Sequence, residues 1–237
     1  MNDILYLLES INDVVAAGAA IITSSLFIYV LTYKLKDRAT WSYTFLLGCL
    51  VVIFGSDAFF SVLKSEKQLL FLLRIQYIGL IFLPVSYFNF SDALLAMTGK
   101  PSRGKRKIVF YSSLILAIIF LGLNFAGILF SEVDIYGSPA PHIERTITHD
   151  LFSIFFFILL VLSWYNFIRS GLRTKIRTSR RRMVYLIISA IGPAFGSFPF
   201  LLYGYEVAAE NSAVFWMISI ITMVLVIISS IGMTTSF

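Results

Sequence analysis

Seven long apolar runs alternate with short polar segments along the chain, at about 13–33, 41–63, 68–97, 107–131, 150–169, 183–204 and 213–237. A helix needs ~20 apolar residues to cross the hydrocarbon core of a bilayer, and each run supplies them. The pattern predicts an all-α membrane protein, a bundle of seven transmembrane helices forming one domain over residues 1–237. Ahead of the first run, Ile4, Leu7, Leu8, Ile11, Val14 and Val15 repeat at helical spacing, which predicts a short amphipathic helix at the interface. Asp3, Glu9 and Asp13 stand where a cleavable signal peptide would be basic, so no signal peptide is predicted.

The polar segments differ in charge. Those after the first, third and fifth runs hold fifteen of the 19 basic residues, among them Lys34 and Arg38, Arg103 to Lys107, and the stretch "RSGLRTKIRTSRRR". Lys64, Lys67 and Arg145 fall on the other side, and Arg74 lies inside the third run. Because basic loops stay cytoplasmic, the N-terminus is predicted outside and the C-terminus inside. The net charge of +6 is then explained by retention at anionic lipid, and no nucleic-acid partner is needed. The longest basic loop is also a candidate dock for a cytoplasmic partner.

Composition agrees with a membrane protein: 58% hydrophobic residues, 14% charged and a mean hydropathy of +0.86. The lone Cys49 lies in an apolar run, which excludes an intrachain disulfide framework. The long outer loop "SEVDIYGSPAPHIERTITHD" carries His142 and His149 near Glu144 and Asp150. It lacks a third well-spaced ligand, so no metal is predicted and a turn-rich cover over the bundle is the reading preferred.

Polar groups inside the runs are costly in lipid and so mark pairing, a cavity or a site. Asp57 and Arg74 fall at matched depth, about two turns from the outer ends of consecutive antiparallel runs, and a buried ion pair between them is expected. Tyr77, Asn124 and Tyr203 reach a similar depth, with Gln76 and Ser197 nearby. Two readings follow: an outward-facing ligand pocket lined by Asp57, Arg74, Tyr77, Asn124 and Tyr203, or a structural ion pair with ordinary interhelical hydrogen bonds. Pro84 in the third run, and Pro193 and Pro199 in the sixth, predict bent helices at those places. Asn89, Asp92 and Asn166 approach the inner end, either as a latch between helices or as interface groups reached by water.

Enzyme chemistry finds no residues to carry it. No run has paired carboxylates at helical spacing, no HExxH or P-loop is present, and the seventh run has no lysine for a retinal Schiff base. No cofactor is expected.

The third run, "RIQYIGLIFLPVSYFNFSDALLAMTG", and the sixth, reached through "RRRMVYLIISAIGP", resemble the N-terminal seven-helix sensor region of bacterial and archaeal histidine kinases. The resemblance covers essentially the whole chain, with Arg74, Tyr77, Gly79 and Pro84 in the third-helix motif and Pro193 in the sixth. It implies a receptor in a prokaryotic cytoplasmic membrane, without catalysis of its own. Such a module detects an extracellular or in-membrane signal, from a small ligand or a lipid, and passes it to a cytoplasmic signalling domain in cis or in trans. It also implies a homodimer. The chain ends at Phe237 without kinase motifs, so the output would lie in a longer product or a separate partner. A small-solute transporter or channel is the alternative, and it would need polar groups continuing through the midplane.

Overall fold

The computed structural model describes residues 2–34, 37–60, 63, 65–99, 104–130, 133–134, 142–143, 146–174, 177–196 and 212–236. Its helices are α1 (Asn2–Tyr33), α2 (Arg38–Asp57), α3 (Glu66–Met97), α4 (Lys105–Phe125), α5 (Ile147–Arg173), α6 (Arg177–Ser189), α7 (Ile191–Gly196) and α8 (Ser212–Ser236). Between α4 and α5, β1 (Val133–Asp134) pairs antiparallel with β2 (His142–Ile143), Val133 opposite Ile143 and Asp134 opposite His142.

Six of these helices, α1 to α5 and α8, are long and apolar enough to cross a membrane, as in a multi-pass integral membrane protein. The distribution of side chains argues for lipid around them. In α1 the buried face carries Ala16, Ala19 and Thr23, while Ile4, Leu7, Val14, Ile21 and Ile28 are exposed. In α5 Leu151, Ile154, Phe157, Ile158 and Val161 are exposed in the same way. Water would penalise so large an apolar surface, whereas hydrocarbon accepts it and leaves close packing to the small residues.

Where the sequence suggests an interfacial helix followed by a span, α1 is one unbroken helix of 32 residues. The apolar stripe from Ile4 to Val15 runs on in register to Ile21 and Ile28, and no proline interrupts it. α2 begins earlier and ends earlier than expected. Asp37 caps its start, accepting from the Thr40 N–H at 2.8 Å, and its last helical residue is Asp57. α3 continues through Pro84.

The sixth apolar run divides. α6 ends at Ser189 and α7 resumes at Ile191. Pro193 lacks an N–H for the Ser189 carbonyl and its ring crowds that carbonyl, so the helix breaks one turn ahead of the proline. Tyr87 of α3 donates its hydroxyl to the Ala190 carbonyl at the break. Pro199, Ser197 and Tyr203 lie outside the described residues.

α3 is the hub, packed against α2, α4 and α5; α1 joins α2 to α8, and α8 returns against α6 and α7. Within the span windows 67% of α2 and 61% of α3 are buried, against 22% of α1 and of α4, so the first two form the centre. Gly79 of α3 is packed onto α2, where an added Cβ would stand 2.7 Å from the Cys49 carbonyl oxygen.

Contacts fix which termini share an end. Arg38 at the start of α2 and Arg106 at the start of α4 both reach Asp92 near the end of α3. Tyr43 near the start of α2 donates to the Ser230 carbonyl, 2.7 Å away near the end of α8. This is the basic end of the bundle.

Candidate functional site

The buried charged, amide and imidazole side chains of the described residues gather at the two ends of the bundle, and α3 contributes to both groups. At the end opposite the basic one, Tyr77 is buried with its hydroxyl 3.0 Å from Nε2 of His149. Its ring packs on Phe130, with centroids 5.1 Å apart, and on Phe152 at 6.2 Å. His149 is fully buried in the first turn of α5. Thr146 places it there: its hydroxyl accepts the His149 N–H at 3.2 Å and donates to the Leu129 carbonyl at 2.6 Å.

The expectation that both histidines belong to the outer loop therefore fails for His149. The sequence does carry the signal, a threonine three residues ahead of it at N-cap spacing. Among the described residues, no three His, Cys, Asp or Glu side chains group so as to hold a metal ion.

Arg74 and Asn124 come together. The Asn124 amide donates to the Arg74 carbonyl at 3.0 Å. α4 ends there in a Schellman motif, with Gly127 at φ +73° and the Gly127 and Ile128 N–H groups returning to Asn124 and Leu123 carbonyls. Only glycine accepts that φ readily. A Cβ built on Gly127 would stand 3.2 Å from Nη2 of Arg74, so the guanidinium lies over the C-terminus of α4. Last-turn carbonyls carry partial negative charge, and a cation is favoured beside them.

That placement removes the expected ion pair. Both ion pairs among the described residues use Asp92, and neither joins Asp57 to Arg74. Asp57 ends α2 instead of lying two turns inside it, and it faces Gln76 with Asp13 of α1 within electrostatic range. Gln76 and Arg74 are two residues apart in α3, hence ~160° apart around the helix. Of the five expected pocket residues, Arg74 and Asn124 meet, Tyr77 meets His149, Asp57 sits on another flank of α3, and Tyr203 is outside the described residues.

The basic end is a charged network. Asp92, with 3% of its side chain exposed, accepts a hydrogen bond from Arg38 on Oδ2 and makes a charge contact with Arg106 at Oδ1, each at 2.8 Å. The Arg38 guanidinium also donates to Oδ1 of Asn89 at 3.1 Å, and the Asn89 amide donates to the Ser42 hydroxyl at 2.9 Å. Asn166 of α5 donates to Ser91 at 3.2 Å. The sequence points to Asn89, Asp92 and Asn166 but not to the arginine partners of the first two, since both arginines count as loop charges until the helix starts are known.

Between the two groups α3 is apolar, with Leu80, Ile81, Leu83, Val85 and Phe88 buried. Ser86 there donates to its own helix, to the Leu83 carbonyl. Two apolar clefts open sideways. One of ≈ 360 Å³ lies between α1, α2 and α3 around Phe27, Gly48 and Phe82, and one of ≈ 530 Å³ lies between α4 and α5 around Leu116 and Phe155. Both suit acyl chains of a surrounding bilayer. No protein-family model and no curated protein matches the sequence.

Proposed function

We propose that the chain is a seven-span sensory module, N-terminus out and C-terminus in, within a prokaryotic cytoplasmic membrane. It detects an extracellular or in-membrane signal and hands it to a cytoplasmic output such as a histidine kinase or diguanylate cyclase. Catalysis belongs to that output. The seventh span in this reading is the run that contains α6 and α7.

The observation that carries the reading is the arrangement of polar groups along α3. Arg74, Gln76 and Tyr77 engage three neighbouring helices at one end, Asn89 and Asp92 engage two at the other, and a packed apolar stretch separates them. In this reading α3 is the two-state element, and a ligand preferring one of its arrangements shifts the population. A small-solute transporter, the second reading, needs polar groups along its path, and among the described residues the midsection of α3 supplies only the hydroxyls of Ser86 and Tyr87, each donated to a backbone carbonyl.

The test is the intact mass of the gene product purified from its native membranes, together with the proteins that accompany it. The expected result is a species well above 26.8 kDa, or one of 26.8 kDa with a kinase or cyclase bound. A lone species of 26.8 kDa that accumulates solute in proteoliposomes would replace the receptor with the transporter.

A further inference from the structure

α4 and α5 meet through aromatic rings: Phe120 packs against Phe152 and Phe155, with centroids 5.5 and 5.4 Å apart. From that contact the cleft of ≈ 530 Å³ runs toward the basic end, past Leu116 to Val109 on α4 and past Ile158 to Leu162 on α5. Leu116 and Ile158 are exposed, so the cleft opens sideways into the surrounding hydrocarbon. Val109 to Phe120 is eleven residues, ~16 Å of helix, which matches one leaflet of a hydrocarbon core ~30 Å thick.

The mouth of the cleft is basic. Lys105 precedes Val109 by four residues and Leu116 by eleven, while Arg169 follows Leu162 by seven and Ile158 by eleven. Those spacings set each cation on the cleft-lining side of its helix. Lys105 is fifteen residues from Phe120 and Arg169 fourteen from Phe155, or ~22 and ~21 Å from the ring contact. The helices are antiparallel, with the start of α4 and the end of α5 both held to the end of α3, so the two cations emerge at one level. No acid balances them. α4 contains no Asp or Glu, and α5 has only Asp150, in its first turn at the other end. Both ion pairs among the described residues use Asp92, which pairs with Arg106 and leaves Lys105 and Arg169 without an anion. The Arg169 guanidinium lies over the Tyr165 ring, 5.2 Å from its centroid, a contact that orients it without using its N–H groups.

We propose that this cleft binds one anionic phospholipid from the leaflet at the basic end, with an acyl chain between α4 and α5 and the phosphate between Lys105 and Arg169. Charge complementarity selects that occupant. A zwitterionic lipid brings its own cation to a mouth that already holds two, and an apolar helix of a second copy would leave both without an anion. The site requires a bilayer around the bundle but neither a signalling nor a transporting role.

The experiment uses the full chain in phosphatidylcholine nanodiscs that contain a trace of phosphatidylglycerol with a diazirine on its acyl chain, or a phosphatidylcholine probe with the same chain. Residues labelled on illumination are mapped. Leu116 and Ile158 are expected to be labelled about twentyfold more by the phosphatidylglycerol probe. Lys105→Gln or Arg169→Gln should each lower that labelling about fivefold and leave the phosphatidylcholine labelling unchanged. Lys107→Gln removes an exposed charge from the same turn but ~160° around α4, and should change neither. Leu116→Trp, which fills the cleft from its open side, should lower labelling of Ile158 by both probes, with the unfolding midpoint confirming the fold. Equal labelling by the two probes would overturn the site and mean that the cleft holds bulk lipid only. A preference for phosphatidylglycerol that survives both glutamine variants would overturn it too. A lining that neither probe reaches would mean that protein covers the cleft, not lipid.

Discussion

Asp92→Asn is expected to destabilise the bundle by about 2–3 kcal/mol, measured by denaturation in bicelles. The substitution keeps the shape of the side chain but leaves the Arg38 and Arg106 guanidiniums facing one another without an anion. Removing one partner of a buried ionic group costs ~3–5 kcal/mol. The figure is reduced here because 48% of the Arg38 side chain is exposed and can turn toward water or lipid phosphate. Adding Arg106→Gln to Asp92→Asn should recover part of the loss, since it removes one of the two unbalanced charges. A double variant as unstable as the sum of the singles would mean that Arg106 is not part of the network.

Gly192→Leu should be still more damaging, because the clash is with backbone. Gly192 and Gly196 form a G-x-x-x-G pair in α7 that lies directly on α8. A Cβ at Gly192 would stand 2.5 Å from the Leu225 carbonyl oxygen and would collide with the Ser229 hydroxyl, while one at Gly196 would collide with Val226. Overpacking by a methyl group costs ~1–3 kcal/mol, so the alanine variant should lose about 2 kcal/mol and the leucine variant more than 3 kcal/mol. Gly18→Ala is the matched control, since its Cβ would meet nothing within 4 Å, and the gain in helix propensity should leave stability unchanged or slightly raised. Equal tolerance at Gly192 and Gly18 would place α7 away from α8.

The helices were legible because hydrocarbon imposes a length and an apolar character that few other environments require. The exact ends were not, and the errors at the site follow from that. Reading α2 as reaching residue 63 placed Asp57 inside the span, level with Arg74; its end at Asp57 separates their roles. Arg74 also shows a limit of pairing by charge. Its guanidinium lies beside the C-terminal turn of α4 at Gly127, and no side chain in the sequence announces that placement. His149 was missed for a similar reason: starting α5 at residue 150 left it in the loop, and only the Thr146 cap brings it into the helix. The break in the sixth run was legible in kind, since Pro193 forecasts it. Its support by Tyr87 of α3 depends on tertiary contact, which periodicity does not encode.

α3 ties these features together. Tyr77 and Asp92 are fifteen residues apart, ~22 Å along the helix, and share no partner among the described residues. Sites so far apart ordinarily contribute to stability independently, within ~0.5 kcal/mol. If α3 is one element with two arrangements biased from both ends, they will not. The measurement that bears most directly on this is a double-mutant cycle of Tyr77→Phe and Asp92→Asn, read as unfolding free energy in bicelles. The predicted result is a coupling of about 1 kcal/mol or more between the two ends. Strict additivity would mean that the two polar groups are separate braces, and that α3 carries nothing from one end of the bundle to the other.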